Sequence, residues 1–150
     1  MDYSAIKQLE REVIFVLKEE YSFYQTMYVS LDRQRDSARF NKDENLLELF
    51  SEIRRLHERI SQSDTKIANL RDQNPPVFKM VVSLPEVKKL VNSIRTLVKK
   101  NMSLVAEAEK YLAGRYDRIR TELGELQNSQ KILKYFGQSN PSPQFVDGKK

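Results

Sequence analysis

Cysteine and tryptophan are absent from the 150 residues, and histidine occurs once, at His57. The missing thiols exclude disulfide scaffolds, thiol nucleophiles and Cys-type zinc sites, and they agree with a reducing compartment. A single histidine excludes His-cluster metal sites and most acid–base triads. Glycine numbers 4 and proline 5, too few for a loop-rich, many-stranded or low-complexity chain. No apolar run nears the roughly 18 residues that would cross a bilayer, so no membrane insertion is expected. The opening MDYSAIKQLEREVIF sets acids among its bases and offers no small-residue cleavage site, which argues against a signal peptide. What the chain has is charge: 26 Lys and Arg stand against 21 Asp and Glu, a net +5. The expectation is one soluble, cytoplasmic, helix-forming domain with little equipment for catalysis.

Proline and glycine punctuate the chain into three long segments. Neither occurs from Asp2 to Arg39 or from Asp43 to Asp72. Residues 73–85, QNPPVFKMVVSLP, hold three of the five prolines and read as a connecting loop. The pattern then runs from Glu86 past Gly114 to about Leu126. Within each segment apolar residues recur at helical spacing. The second is the most regular: Leu46, Leu49, Ile53, Leu56, Ile60, Ser63, Ile67 and Leu70 alternate steps of three and four, a heptad seam with one polar slot. The first carries Ile14, Leu17, Tyr21, Tyr24, Tyr28, Leu31, Arg35 and Ala38, with a second strip at Ile6, Leu9, Val13 and Val16. The third carries Val91, Ile94, Val98, Asn101, Val105, Ala108, Leu112, Tyr116, Ile119, Leu123 and Leu126. Ser83 and Glu86 are spaced as a capping box at its start, and Asn41 or Asp43 can cap the second helix.

These signals predict an all-α fold: an elongated antiparallel coiled-coil bundle over residues 1–136, with helices near 3–38, 43–72 and 84–126, and a flexible tail over 137–150. The connection at 39–42 is short enough to make the first two helices antiparallel neighbours. At 1.5 Å per residue the third helix would reach roughly 60 Å against roughly 45 Å for the second, so it should overhang. Strand character is confined to Val77–Val82, too short to make a sheet.

Catalytic signals are missing. His57 sits beside the second seam and reads as a surface histidine without an orienting partner. No Gly-rich phosphate loop, EF-hand or HExxH pattern occurs, so no cofactor or metal is expected. Glu107 and Glu109 are two apart, hence on different helix faces. The bases include a modest face at Lys88, Lys89, Arg95, Lys99 and Lys100, but elsewhere they are interleaved with acids, as on any solvated helix face. No nucleic-acid recognition motif accompanies them, and no nucleic-acid partner is expected. Asn101 is the polar residue of the third seam, either setting register or binding a partner's backbone. The stripe Leu112, Tyr116, Ile119, Leu123 and Leu126 continues beyond where the first two helices could cover it. Such a stripe must dimerise, fold back or bind another protein's helix.

Three stretches resemble the FlgN-type flagellar export chaperones. Leu97-Val-Lys-Lys-Asn101-Met-Ser-Leu104-Val105 is similar to the LNxxNxxLL stretch opening that family's long final helix; Val98 departs from its first Asn and Asn101 matches the second. Lys134-Tyr135-Phe-Gly137 with the short polar tail resembles the family's closing stretch, and Leu46–Leu56 resembles its second helix. The resemblance implies a cytoplasmic chaperone of the flagellar type III export system. It would bind the C-terminal helical regions of hook-associated (hook–filament junction) proteins, prevent premature assembly and deliver them to the membrane export gate. The stripe from Leu112 to Leu126 would hold cargo, and Tyr135 would dock on the cytoplasmic domain of the gate protein. Two other readings stand beside it. One is a structural coiled-coil adaptor that oligomerises, as a homodimer for example, through the same stripe. The other is a weak nucleic-acid binder using the Lys88–Lys100 face.

Overall fold

The computed structural model describes residues 3–40, 42–112 and 117–136. Among them every regular element is helical: α1 (Tyr3–Arg39), α2 (Leu46–Gln73), α3 (Pro75–Val81), α4 (Pro85–Leu112) and α5 (Asp117–Leu133), with 3-10 turns at Asp43–Asn45 and Lys134–Phe136. The all-α expectation therefore holds, with five helices in place of three.

Helices α1 and α2 form an antiparallel hairpin. Ser30 Oγ donates to Glu52 Oε1 at 3.0 Å, the Arg59 guanidinium lies 5.9 Å from the Phe23 ring centre, and Lys66 reaches Glu19 at 3.7 Å, so partners ascend one helix as they descend the other. The α2 seam buries as its spacing predicts, from Leu46 to Ile67. On α1 the observed seam is Leu9, Val13, Val16, Glu20, Tyr24, Met27, Leu31, Gln34 and Ala38. It departs from the apolar reading because two positions are polar, and it leaves Tyr28 on the surface.

The Pro-containing connection is itself helical. Asn74, held extended ahead of a proline, accepts from the Val77 amide at 3.4 Å, and Pro75 and Pro76 occupy the first helical positions, where a missing N–H costs nothing. Helix α3 buries Val77, Phe78 and Val81, so the strand-like run is a helical plug. The expected capping box does not form. The Ser83 amide and hydroxyl both donate to Met80 O, at 3.1 and 2.7 Å, closing α3 instead of opening α4. Helix α2 is preceded by Asn45, whose side chain makes no cap bond; Asn41 lies outside the described residues.

The largest correction concerns the third helix. A continuous helix would hold residues 95 and 133 about 57 Å apart, yet Arg95 Nη2 donates to the Leu133 carbonyl at 3.2 Å. The chain ends α4 at Leu112 and returns as α5 from Asp117. Gly114, the poorest helix former of the stretch, falls between them, outside the described residues. Return is favoured because it buries Leu126, Leu133 and Phe136, each stabilising by about 1.5–3 kcal/mol relative to water. Helices α1, α2, α4 and α5 thus form an alternating bundle, with α3 crossing between α2 and α4. The core runs through all of them, with Val13, Leu17, Tyr24, Met27, Ile53, Ile67, Ile94, Val98 and Leu126 fully enclosed.

Candidate functional site

Helix α5 and the surface beneath it hold most of the sequence-derived candidates. Among its described side chains the enclosed positions are Glu122, Leu126, Ser129, Leu133 and, in the following turn, Phe136. The steps of four and three make a heptad seam, but every other place from Glu122 to Leu133 is polar.

The underlying surface matches that alternation. Gln34 Nε2 of α1 donates to Glu122 Oε1 at 3.3 Å, both residues being buried. His57 Nδ1 of α2 lies 3.4 Å from Glu125 Oε2. Burial lowers the His57 pKa to about 4, so the imidazole is neutral at physiological pH and faces the carboxylate without a charge of its own. Ser129 lies beside the Tyr24 hydroxyl. Below Tyr24, the carboxyls of Glu20 on α1 and Asp64 on α2 face each other. Burial, then the neighbouring Asp64, pushes the Glu20 carboxyl well above the ordinary range, and burial raises Asp64 too. Two carboxyls meeting out of water share a proton rather than both ionising. A cleft of about 610 Å³ opens between α2 and α5, lined by His57, Ser61, Asp64, Glu125, Ser129 and Lys131 among others.

Several of these groups are incompletely bonded. Glu20 Oε2, Tyr24 Oη, Gln34 Oε1, His57 Nε2, Asp64 Oδ1 and Asn101 Oδ1 are enclosed without a hydrogen-bond partner among the described residues. Such an atom costs about 1–3 kcal/mol where no water reaches it, and of these residues Gln34 touches α5 directly while His57 and Asp64 line the cleft between α2 and α5.

Sequence-derived candidates fall as follows. Leu112 closes α4 and is 1% exposed; Leu126 is enclosed at the centre of the α5 seam; Leu123 is half-buried at its edge. Ile119 belongs to α5 and Tyr135 to the 3-10 turn after it, the side chains of both lying outside the described set, as does Tyr116 entirely. The stripe is therefore turned into the bundle where it is described, not left overhanging. Asn101 is fully enclosed and donates through Nδ2 to the Tyr24 carbonyl at 3.3 Å, binding a backbone within its own chain. His57, expected on the surface, is 7% exposed because α5 covers it. Among polar residues the seam spacing singles out Arg35, Ser63 and Asn101, whereas Glu20, Gln34, Asp64, Glu122 and Ser129 fall off those seams and look like solvated positions. Their signal was position: Glu20 and Gln34 stand four and three residues from Val16 and Leu31, in register with the observed α1 seam.

Among the described residues no three His, Cys, Asp or Glu side chains are grouped as metal ligands, and no helix is long and apolar enough to cross a membrane. Comparison with protein-family models, curated proteins and solved structures finds no match to the chain.

Proposed function

We propose that this protein is an export chaperone of the flagellar type III system. It binds the C-terminal helical regions of hook-associated proteins in the cytoplasm, prevents their premature assembly and passes them to the cytoplasmic domain of the export-gate membrane protein. The cargo surface is the stripe Leu112, Tyr116, Ile119, Leu123 and Leu126, and Tyr135 engages the gate. The observation that carries this reading is the half-polar seam of α5: Leu126 and Leu133 alternate with Glu122 and Ser129 over a seat of incompletely bonded polar groups. A helix so seated exchanges its partner at low cost. When α5 leaves, Gln34, His57 and Asp64 regain water, and the stripe becomes free to take an amphipathic helix through anchors at i, i+3, i+4 and i+7. The resemblance of Leu97–Val105 and Lys134–Gly137 to the FlgN-type stretches supports the identity of that helix.

The absence of cysteine makes the test clean. Gln34→Cys with Glu122→Cys places two thiols on facing positions of α1 and α5, set back from the point where the longer native side chains meet at 3.3 Å, so a short reducible thiol-reactive cross-linker, rather than a direct disulfide, bridges them. Cross-linking should lock α5 and abolish capture of a hook-associated protein's C-terminal segment, and reduction of the linker should restore it. Equal capture by the cross-linked and reduced forms would show that α5 need not move. A large homo-oligomer formed by the reduced protein without cargo would favour the structural-adaptor reading.

A further inference from the structure

The outward face of α4 is a row of lysines. Its exposed positions from Lys88 to Lys110 include Lys88, Lys89, Lys99, Lys100 and Lys110 and no carboxylate. At 100° per residue these positions occupy an arc of about 120°, and the row extends for about 33 Å. One acid, Glu107, shares the arc; it is half-buried and paired at 3.0 Å with Arg35, whose guanidinium also holds Asp32 and Asp36 of α1, so the acids beside the row are gathered at that one cation and the five lysines still outnumber them. The opposite side of α4 is fixed in the core by Val87, Val91, Ile94, Val98 and Val105. The row is thus held straight and turned outward by the fold.

The composition of the face narrows its partner. Every exposed cation in the row is lysine, a compact hydrated charge, rather than arginine, whose planar fork suits bidentate recognition of a defined carboxylate or phosphate. The exposed aromatic beside the row is Tyr111, next to Lys110 at the edge of the arc, a single ring rather than a series of platforms for successive bases. No large exposed apolar side chain lies between Lys88 and Lys110, so nothing within the row would insert into hydrocarbon. A straight, hydrated, all-lysine row fits a broad plane of diffuse negative charge. We propose that this face of α4 docks the bundle peripherally on an anionic lipid bilayer, with the helix axis parallel to the membrane plane. The proposal does not rest on the chaperone reading. It uses no residue of α5, so the face serves whether α5 is seated or displaced.

A lysine close to an anionic bilayer is worth about a fivefold change in affinity. Three replacements, Lys88→Gln, Lys89→Gln and Lys100→Gln, should therefore weaken adsorption about a hundredfold. The probe is co-sedimentation of the full chain with phosphatidylcholine vesicles, with and without phosphatidylglycerol, at low ionic strength. The protein should sediment only with phosphatidylglycerol and be released by salt as screening shortens the reach of the charges. Circular dichroism and melting of the triple variant should match the parent, since Lys and Gln differ little in helix propensity. A second triple variant, Lys18→Gln, Arg55→Gln and Lys66→Gln, removes the same charge from α1 and α2 and should retain nearly all binding. Failure of the parent to sediment with phosphatidylglycerol, or equal loss in the two triple variants, would overturn the proposal. So would duplex DNA binding that depends on the face while vesicles are ignored; the face would then be a nucleic-acid surface.

Discussion

A carboxyl as enclosed as Glu20 holds its proton where an unfolded chain has released it, and that difference sets a sign. Its folded pKa is raised above the unfolded value of 4.5. Above that pH the native state binds more protons than the unfolded one, so this contribution to stability falls as pH rises. It is fully present only below the unfolded pKa. Asp64, raised by burial, works in the same direction. His57 works oppositely. Its folded value of about 4 lies below 6.5, so the unfolded chain takes up a proton in that window and stability is lost as pH falls through it. The full effect is about 3 kcal/mol. Glu20→Gln should raise stability at neutral pH and flatten the decline on the alkaline side, as measured by urea denaturation across a pH series. His57→Gln should remove the rise between pH 4 and 6.5 and leave the alkaline decline intact. A parent whose stability climbs steadily above pH 6.5 would contradict the protonated assignment of the Glu20–Asp64 pair.

At the scale of the element, α5 differs from its neighbours in what it buries. Gly124 lies within it, and a Cβ there would meet nothing within 4 Å. Gly124→Ala should stabilise the helix by about 0.5–1 kcal/mol through reduced unfolded-state freedom, read as a higher melting temperature. Native-state hydrogen exchange should show α5 amides opening at a lower free energy than those of α1, α2 and α4, because its seam alternates with polar groups. Leu126→Ala should cost about 2–5 kcal/mol, since Leu126 is the central apolar anchor of that seam. Much of this was legible beforehand. Leu46 to Ile67 and Val91 to Leu112 carry unbroken three–four spacing, and both stretches formed helices with those faces inward. The return of α5 was not legible, because Leu112, Leu123 and Leu126 stay in phase across the turn. Periodicity records which face is apolar, not whether the axis continues. The polar half of the site was hidden for a related reason. Glu20, Gln34 and Glu122 look like solvated positions until a partner helix is known to cover them.

At the scale of the whole molecule, the two ends of the return are coupled through Phe136. Its ring packs on Phe78 of α3, the centres 5.6 Å apart and the planes inclined at 53°. Phe78 sits in the plug that directs α4 back along the bundle, so one aromatic pair ties the end of α5 to the connection between α2 and α4. Phe136→Ala should lower stability by about 3–5 kcal/mol at most, less where local collapse fills the gap. If cargo captures the released stripe, the seated α5 is a competing state, and apparent affinity is the intrinsic affinity reduced by the fraction of molecules already open. Loosening the anchor raises that fraction. Phe136→Ala should therefore bind cargo more tightly than the parent although it melts earlier, by up to tenfold for each 1.4 kcal/mol that falls on the seated state alone. Tyr135→Ala, one residue before, should leave capture unchanged and weaken delivery to the gate protein's cytoplasmic domain. Calorimetric titration of a cargo segment beside a melting curve separates the effects. If the cargo surface is complete with α5 seated, Phe136→Ala loses affinity together with stability, and the exchange mechanism fails. Only a competition between α5 and cargo gives the two measurements opposite signs.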